Sequence, residues 1–323
     1  MQLTDISKPI NAELDVFNEI FKKSLKSSVG IIDLITTYIL KQKGKKIRPL
    51  LVILSAKLAG GVNERTYRGA TLVELLHTAT LIHDDVVDNA DKRRGLPSIN
   101  AIWKNKVAVL MGDYLLSRGL MIAVEGKDFD FLGIITDAVR RMSEGELLQI
   151  RKSKKLDIDE ETYFKIISDK TASLLSTCCQ IGAASASLNQ EYRVALKKFG
   201  ENIGMAFQIR DDILDYIGTS SIFGKPLGGD IQEKKITLPL IYSLKNAPER
   251  ESAQIIKWIK NGRKNKNVKE VIEFVKKYNG IEYALQTARS YSNQARENLK
   301  LFPDSPAKIS LESLIEFIVN RKN

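Results

Sequence analysis

Two short acidic segments of the chain have the same arrangement of carboxylates. Residues 84–88 read Asp-Asp-Val-Val-Asp and residues 211–215 read Asp-Asp-Ile-Leu-Asp, so aspartates occupy positions i, i+1 and i+4 of each. On a helix these side chains lie close together and repel one another. The intervening residues are apolar, and Mg²⁺ would relieve the repulsion because it binds carboxylates together with phosphate oxygens. A solvated acidic face is the alternative for one segment alone, but two copies favour paired metal sites.

Basic residues occur in short clusters at the ends of predicted elements. Arginine binds phosphate through two parallel hydrogen bonds, and lysine supplies a point charge. Beside metal-binding carboxylates, such clusters predict a pocket for diphosphate groups, and ordinary surface charge is the alternative for each. The clusters lie at residues 44–49, 92–95, 170–171, 224–226 and 234–235.

The histidines and cysteines are few. His77 precedes Asp84 by seven residues, or two helical turns, so the two share a face and His77 is predicted to contact phosphate. His83 points away from that face and is interpreted as a packing or hydrogen-bonding residue. The neighbouring Cys178 and Cys179 suit neither a disulfide nor a zinc site, and we expect two buried, reduced side chains.

Composition excludes several classes of protein. The chain of 323 residues is 43% hydrophobic and 28% charged, which is typical of a globular protein. Its net charge of +11 permits nucleic acid, an anionic membrane surface or a polyanionic small molecule as partner. No P-loop, dinucleotide motif or nucleophilic triad is apparent. The uninterrupted apolar runs are short and the first residues do not resemble a signal peptide, so we expect a cytoplasmic protein without an integral membrane segment.

The elements that position these residues are predicted to be helices. No proline occurs between Pro97 and Pro226, and apolar residues recur there every three or four positions. This pattern predicts an all-α fold in which residues 1–323 form a single domain, a bundle of long helices around a deep central cavity. The predicted helices cover residues 11–26, 29–43, 48–59, 64–89, 100–124, 128–151, 159–187, 190–217, 236–246, 250–261, 266–277, 280–298 and 308–320.

These motifs together resemble those of the trans-isoprenyl diphosphate synthases, the polyprenyl synthetase family. The resemblance extends over about residues 30–245 and implies the all-α fold of the isoprenoid synthases and a homodimer. The segments that carry it are 44–49 (GKKIRP), 74–88, 93–95, 111–114, 170–172, 204–215, 224–226 and 230–239.

The resemblance also implies roles for individual residues. Three Mg²⁺ ions on an allylic diphosphate would be held by Asp84, Asp85, Asp88, Asp211, Asp212 and Asp215. The same diphosphate would contact Arg93, Lys170, Thr171, Gln208, Lys225 and Lys235. The diphosphate of isopentenyl diphosphate would bind Lys45, Arg48, His77 and Arg94. The catalytic residues among these would be Asp84, Asp85, Asp88, Lys170, Asp211 and Lys225. Lys234 stands where many relatives have glycine, which leaves open whether Lys234 or Lys235 reaches the site.

The implied reaction is the elongation of an allylic diphosphate, farnesyl or geranylgeranyl, by isopentenyl diphosphate. Ionisation of the allylic substrate is followed by head-to-tail attack and by loss of a proton, for which family analogy makes the departing diphosphate the acceptor. Ala79 and Thr80 lie one turn before Asp84, and their small side chains leave an apolar channel open. We therefore expect an all-trans product of about thirty carbons or more, as used for quinone side chains.

Four alternatives stay open at this point. The protein could make a shorter product of fifteen to twenty carbons, or be a non-catalytic subunit of a heteromeric synthase, although such subunits typically lose the acidic motifs. A terpene cyclase has no second diphosphate for Lys45, Arg48 and Arg94 to bind. A nucleic-acid binder would need aromatic residues among its basic ones, and aromatics are only 7% of the chain. A peripheral membrane contact for product release is also expected.

Overall fold

The structure, a computed structural model, describes residues 2–42, 44, 46–217, 228–261 and 265–320. It confirms the all-α prediction, because the only strands in those residues form a two-residue antiparallel hairpin of Lys92–Arg93 with Leu96–Pro97. The α-helices are α1 (Leu3–Ser7), α2 (Asn11–Ser24), α3 (Gly30–Lys41), α4 (Ile47–Ala59), α5 (Glu64–Val87), α6 (Ile99–Glu125), α7 (Phe129–Lys155), α8 (Glu160–Ile167), α9 (Ser173–Ala186), α10 (Gln190–Ile217), α11 (Gly229–Gln232), α12 (Leu238–Asn246), α13 (Glu249–Asn261), α14 (Asn265–Lys277), α15 (Gly280–Leu299) and α16 (Pro306–Val319).

The predicted helix over residues 159–187 was wrong in one respect. It consists of α8 and α9 joined by a π-helical turn, Ser168–Ala172. The sequence Ser-Asp-Lys-Thr-Ala contains no glycine or proline that would mark an interruption. The cause is therefore to be sought in tertiary contacts, which are described below.

The chain divides into two compact units, each formed by three separate stretches of sequence. Unit 1 comprises Met1–Thr136, Thr177–Leu196 and Leu301–Leu311. Unit 2 comprises Asp137–Ser176, Lys197–Lys300 and Glu312–Asn323. That residues 1–323 form a single domain stays a prediction.

In unit 1, α5 packs against α6, α4 and α2. It begins at a capping box, in which the Asn63 side chain accepts from the Thr66 amide and the Thr66 side chain accepts from the Asn63 amide. Apolar residues at helical spacing then point into the core, and α4 is buried on almost every side. The buried residues of α5 include Leu72, Val73, Leu75, Leu76 and Ala79.

Helix α6 has two apolar faces. One is buried in unit 1 by residues spaced three or four apart: Ala108, Met111, Leu115, Gly119 and Ala123. The other exposes Val109, Leu110, Met121 and Val124.

Among the residues described, α6 is the one helix long and apolar enough to cross a membrane, judged by length and composition alone. An 18-residue window of it has a mean hydropathy of 1.6 and is 33% buried. The expectation of short apolar runs missed this window because Asp113 and Arg118 interrupt it. A packed helix of a soluble protein has the same composition, so the window does not identify a membrane span.

The core of unit 2 is formed by residues from α8, α10 and the helices that follow. Helix α12 packs against α15, α14 and α8. Buried side chains include Ile209 and Ile213 of α10, which approach this core from the helix that also carries the second acidic segment. Packing of α10 therefore fixes the direction in which that segment points.

An ionic cluster in unit 1 connects α5 with the α6–α7 connection. Asp128 is 2% exposed, and the Nε atoms of Arg65 and Arg68 each lie 2.7 Å from one of its carboxylate oxygens. Arg65 also donates to the carbonyl oxygen of Ala184 at 2.7 Å and lies 4.5 Å from the ring centroid of Phe131. The buried carboxylate of Asp128 thus forms ion pairs with two arginines at once.

Replacing this carboxylate should destabilise the protein. We expect Asp128→Ala to lower the free energy of unfolding by about 2 kcal/mol, because two partly exposed arginines lose their partner. Urea denaturation measures the change. The control is Arg140→Ala, which removes an exposed ion pair with Glu144 and should leave the unfolding midpoint unchanged. Equal loss of stability in both variants would contradict the assignment.

Candidate active site

The first acidic segment lies at the C-terminal end of α5 in unit 1. The Asp88 amide donates to the Asp84 carbonyl oxygen at 2.8 Å, which places these two residues one turn apart, as the sequence predicts. Their side chains are exposed, whereas Asp85 is only 3% exposed. The three predicted metal ligands therefore stand in two different environments.

Asp85 forms an ion pair with Arg93. The Nε atom of Arg93 lies 2.8 Å from Oδ1 of Asp85, and its Nη2 contacts the same oxygen. Arg93 belongs to the hairpin, whose turn residues Arg94 and Gly95 have φ values of +51° and +80°. A predicted metal ligand and a predicted diphosphate contact thus bind each other here, and the roles implied by the resemblance stay predictions.

Arg48 is the centre of a second group of charges in unit 1. Its side chain is half-buried at the first turn of α4, and its buried Nε has no hydrogen-bond partner among the residues described. Burial lowers the pKa of Arg48, and the positive charge of Arg94 acts in the same direction. A Cβ atom at residue 44 would overlap with the Arg94 guanidinium, so a side chain there would displace it. The group therefore has an excess of positive charge and an unused donor.

His77 and Glu74 complete this group. Burial, and then the charges of Arg48 and Arg94, hold the pKa of His77 well below its usual range, so its imidazole is neutral at neutral pH. Burial raises the pKa of Glu74, against the opposing effect of Arg48 and Arg94. Sequence analysis missed Glu74 as a member of this group. Its position three residues before His77, on the same helix face, was the signal that could have identified it.

The two predicted chain-length residues lie on the same helix. Ala79 is buried with 2% exposure, and Thr80 is half-buried with its hydroxyl donating to the His77 carbonyl oxygen at 2.9 Å. Lys45 and Lys225, both predicted to bind substrate, lie outside the described residues.

The second acidic segment lies near the C-terminal end of α10 in unit 2. Asp212 is buried, and it accepts hydrogen bonds from the Tyr163 hydroxyl at 2.7 Å and from Nε2 of Gln208 at 2.8 Å. Burial raises the pKa of Asp212 well above its usual range, and the like charges of Asp230 and Asp211 add to this effect. The Asp212 carboxylate is therefore repelled by its neighbours in a place that water reaches poorly, whereas the Asp211 side chain is exposed.

Asp215 has a different environment. Its two carboxylate oxygens accept from the backbone amides of Gly229 at 2.9 Å and Asp230 at 3.1 Å. The side chain thereby caps the start of α11 and draws Asp230 towards the acidic segment. Sequence analysis quoted Asp230 only as part of a longer motif and gave it no role.

Lys170 and Thr171 lie on the π-helical turn of unit 2. The Thr171 hydroxyl donates to Oε1 of Gln208 at 2.8 Å, and Gln208 in turn donates to Asp212. Nζ of Lys170 lies 2.8 Å from Oε1 of Gln149. The structure thus connects Thr171, Gln208 and Asp212, which the resemblance assigns to one diphosphate and its metal ions.

The two adjacent lysines of unit 2 differ in their contacts. Nζ of Lys234 donates to the carbonyl oxygen of Lys260 at 3.2 Å, and Lys234 has a φ of +59°. Lys235 is half-buried, and its Nζ lies 2.6 Å from Glu233. Because Lys234 contacts α13, Lys235 is the better candidate for the substrate contact.

The fit of these residues to a metal ion rests on their donor atoms and charge. No group of three or more His, Cys, Asp or Glu side chains is arranged to hold a metal within the part of the chain that the structure describes. The donors are nevertheless carboxylate oxygens, which hard cations such as Mg²⁺ prefer. Burial, and then the like charges of Asp230 and Asp211, raise the pKa of Asp212, and a bound cation would offset that repulsion. The residues present therefore fit Mg²⁺ in chemistry.

Two further residues of the site could not be found from sequence. Tyr163 is 49 positions from Asp212, and Gln149 is 21 positions from Lys170, so neither shares a motif with its partner. Both contacts arise because separate helices pack together in unit 2. No spacing rule connects such residues.

Comparison with known proteins identifies the family. The sequence model of the polyprenyl synthetase family matches residues 29–276. The octaprenyl diphosphate synthase of Haemophilus influenzae is 32% identical over 99% of this chain and 98% of that protein. The geranylgeranyl diphosphate synthase of Saccharolobus solfataricus is 33% identical over 100% of both chains. A crystal structure of polyprenyl synthase from Caulobacter crescentus, complexed with calcium and isoprenyl diphosphate, has a TM-score of 0.92 at 33% identity, covering 100% of this chain and 98% of that one. The chain therefore belongs to the polyprenyl synthetase family of trans-isoprenyl diphosphate synthases, and it is a prenyltransferase.

Proposed function

We propose that the protein condenses isopentenyl diphosphate head-to-tail onto an allylic diphosphate in an Mg²⁺-dependent reaction. The observation that carries the proposal is the buried Nε of Arg48, which lacks a partner in the described residues and belongs to a side chain whose neighbours include Arg94. A buried polar group without a partner is costly, so it favours a polyanionic ligand that supplies the missing acceptor. A terpene cyclase needs no such second diphosphate site.

The allylic substrate would be bound by residues of unit 2. Lys170, Thr171 and Gln208 would donate to the allylic diphosphate, and these interactions strengthen as negative charge develops on the leaving group. When bound to the acidic segments, Mg²⁺ would supply further stabilisation of that charge. Three ions are expected from the resemblance, with Asp84, Asp88 and Asp211 among their ligands.

The isopentenyl substrate would be oriented by Arg48, Arg94 and His77. The two guanidiniums would bind its diphosphate, and the neutral imidazole of His77 would donate a hydrogen bond without adding to the positive charge. Held in this way, the double bond attacks the allylic carbon from which the diphosphate departs. The proton lost from the adduct would go to the departing diphosphate.

Incubation with Mg²⁺, farnesyl diphosphate and labelled isopentenyl diphosphate should give labelled prenyl diphosphates, which chromatography of the dephosphorylated product detects. In Arg48→Lys, the loss of the planar fork should raise KM for isopentenyl diphosphate roughly tenfold and leave KM for farnesyl diphosphate nearly unchanged. Arg118→Lys, whose arginine donates to the Ser24 carbonyl oxygen, is the matched control.

Three results would count against the proposal, two from this assay and one from a measurement of DNA binding. Absence of any labelled product from the chain alone favours the non-catalytic subunit. Consumption of the allylic substrate without incorporation of label favours a cyclase. Salt-dependent retention on DNA without turnover favours a nucleic-acid binder.

The state of His77 predicts a pH dependence of stability. Because the pKa of His77 in the folded protein lies below the unfolded value of about 6.5, acidification protonates the unfolded chain first and lowers stability. Between pH 7.5 and 5.5 the free energy of unfolding should fall less steeply in His77→Gln, by up to about 1.4 kcal/mol per pH unit. Parallel curves for the two proteins would contradict the neutral assignment.

We further propose a long product, of about thirty carbons or more, because the buried residue 79 is alanine, whose small side chain would leave the proposed channel open. A shorter product of fifteen to twenty carbons is the alternative, since the relatives include both octaprenyl and geranylgeranyl diphosphate synthases.

Substitution at Ala79 tests this assignment. Ala79→Phe should shorten the main product because the ring would close the channel, and Ala79→Leu should have a smaller effect in the same direction. Reversed-phase chromatography of the dephosphorylated products measures their length. The exposed Ala12→Phe is the control and should leave the length unchanged. An unchanged length in active Ala79→Phe would refute the channel assignment.

The proposed assembly is a cytoplasmic homodimer without an integral membrane segment. The exposed apolar face of α6 supports a second copy as partner, because patches of this kind mark interaction sites. A peripheral contact with membrane lipid would assist release of the apolar product.

A further inference from the structure

The π-helical turn Ser168–Ala172 has an unusual geometry that its sequence does not require. Its closing hydrogen bond runs from the Ser173 amide to the Ser168 carbonyl oxygen, five residues apart. Such turns are rare, and they occur frequently at functional sites. This one contains Lys170 and Thr171, the pair assigned to the allylic diphosphate.

Helix α7 contacts the turn through Arg141, Gly145 and Gln149, which are spaced four residues apart. Glu146 of the same helix forms an ion pair with Lys170. A Cβ atom on Gly145 would lie 3.0 Å from Cβ of Asp169 and 3.2 Å from the backbone nitrogen of Lys170. Gln149 accepts from Nζ of Lys170 at 2.8 Å. The missing side chain of Gly145 therefore lets α7 approach the backbone of the turn closely.

Arg141 binds the first two residues of the turn. Its Nε lies 2.9 Å from Oδ1 of Asp169, and its Nη2 donates to the Ser168 hydroxyl at 2.9 Å. Asp169 is only 3% exposed, and its other oxygen contacts Lys165. A buried carboxylate bound in this way holds the turn strongly in one position.

Helix α10 also contacts the turn, through residues different from those of α7. Oε1 of Glu201 accepts from the Ser168 hydroxyl and from Nη2 of Arg141, each at 3.1 Å. A Cβ atom on Gly204 would lie 2.8 Å from Cβ of Ala172, and Gln208 accepts from Thr171. Each residue of the turn thus contacts a residue of α7 or α10.

We propose that Arg141 and Asp169 are positioning residues that hold the π-helical turn and thereby place Lys170 and Thr171 for binding of the allylic diphosphate. The inference rests on the proposed function, which assigns that ligand to the pair. Asp169 and Lys170 are adjacent in sequence but have separate partners, which are Arg141 and Lys165 for Asp169 and Glu146 and Gln149 for Lys170. Changing Asp169 therefore alters the position of Lys170 without removing any group that would touch substrate.

The Arg141–Asp169 pair borders a cavity of about 960 Å³ in unit 2, which is lined also by Ser168, Glu201 and Tyr291. Arg141 is 19% exposed there. Water in this cavity can therefore replace a hydrogen bond that a small substitution at the pair removes, so that the protein stays folded. The pair is thus suitable for kinetic tests.

The first test uses Asp169→Asn, which keeps the shape of the side chain, and Arg141→Lys, which keeps the charge but loses the fork. KM for farnesyl diphosphate and the Kd of inorganic pyrophosphate with Mg²⁺, measured by calorimetry, should both rise roughly tenfold in Asp169→Asn. KM for isopentenyl diphosphate should change less than about twofold, and Arg141→Lys should lie between wild type and Asp169→Asn.

The second test changes the backbone contact and leaves every charge in place. Gly145→Ala should displace the turn and raise the same two constants. Gly133→Ala on the same helix is the control, because its Cβ would have no neighbour within 4 Å. Both changes raise helix propensity equally, so only the contact differs between them.

Three results would overturn the inference. One is an unchanged pyrophosphate Kd in folded Asp169→Asn. Another is an equal rise of both KM values together with a lowered Tm, which indicates a structural role only. The third is a Gly145→Ala protein that matches Gly133→Ala. Failure of the wild-type protein to elongate farnesyl diphosphate would instead contradict the proposed function, and the pyrophosphate titrations would still test the positioning role.

Discussion

Charged groups of the same sign lie close together at partly or fully buried positions, and the candidate binding groups of each unit depend on this constraint. Asp212 is buried beside Asp230 and Asp211, and the buried Nε of Arg48 belongs to a half-buried side chain near Arg94. Neither arrangement is favourable by itself, because desolvation of a charge is costly and a neighbour of the same sign adds to the cost. Packed helices hold both arrangements in place, so a ligand of opposite charge finds its binding groups already assembled. The apolar cores of the two units thus supply the free energy that keeps the acidic and basic groups in position.

The two units have complementary chemistry. In unit 1, the basic residues of α4 and the hairpin lie near a neutral histidine, which suits a diphosphate. In unit 2, a chain of hydrogen bonds runs from Thr171 through Gln208 to Asp212 and Tyr163. Polar networks of this kind are rigid when every member has a partner. Each unit therefore orders its own binding groups through contacts within that unit.

Helix limits and the acidic segments could be predicted from sequence, because both depend on local spacing. The predicted helix at residues 190–217 coincides with α10. The interruption between α8 and α9 could not be predicted, since the residues that pack against it, Gly145 on α7 and Gly204 on α10, are distant from it in sequence. Similarly, the partner of Asp212 is Tyr163, and nothing in the sequence connects two residues that separate helices bring together. The ion pair of Asp85 with Arg93 was missed although the two are close in sequence, because it depends on the hairpin bending back over α5.

The π-helical turn has a consequence for how this region can vary among homologues. A turn of this type contains one residue more than the equivalent α-helical turn. Deletion of one of residues 168–172 would let α8 and α9 form one continuous α-helix with the flanking residues in nearly the same rotational phase, because the π-helical turn is what accommodates the additional residue. A deletion of one codon in this stretch would therefore leave the downstream side chains on their present faces of the helix and would change only the contacts of the turn itself.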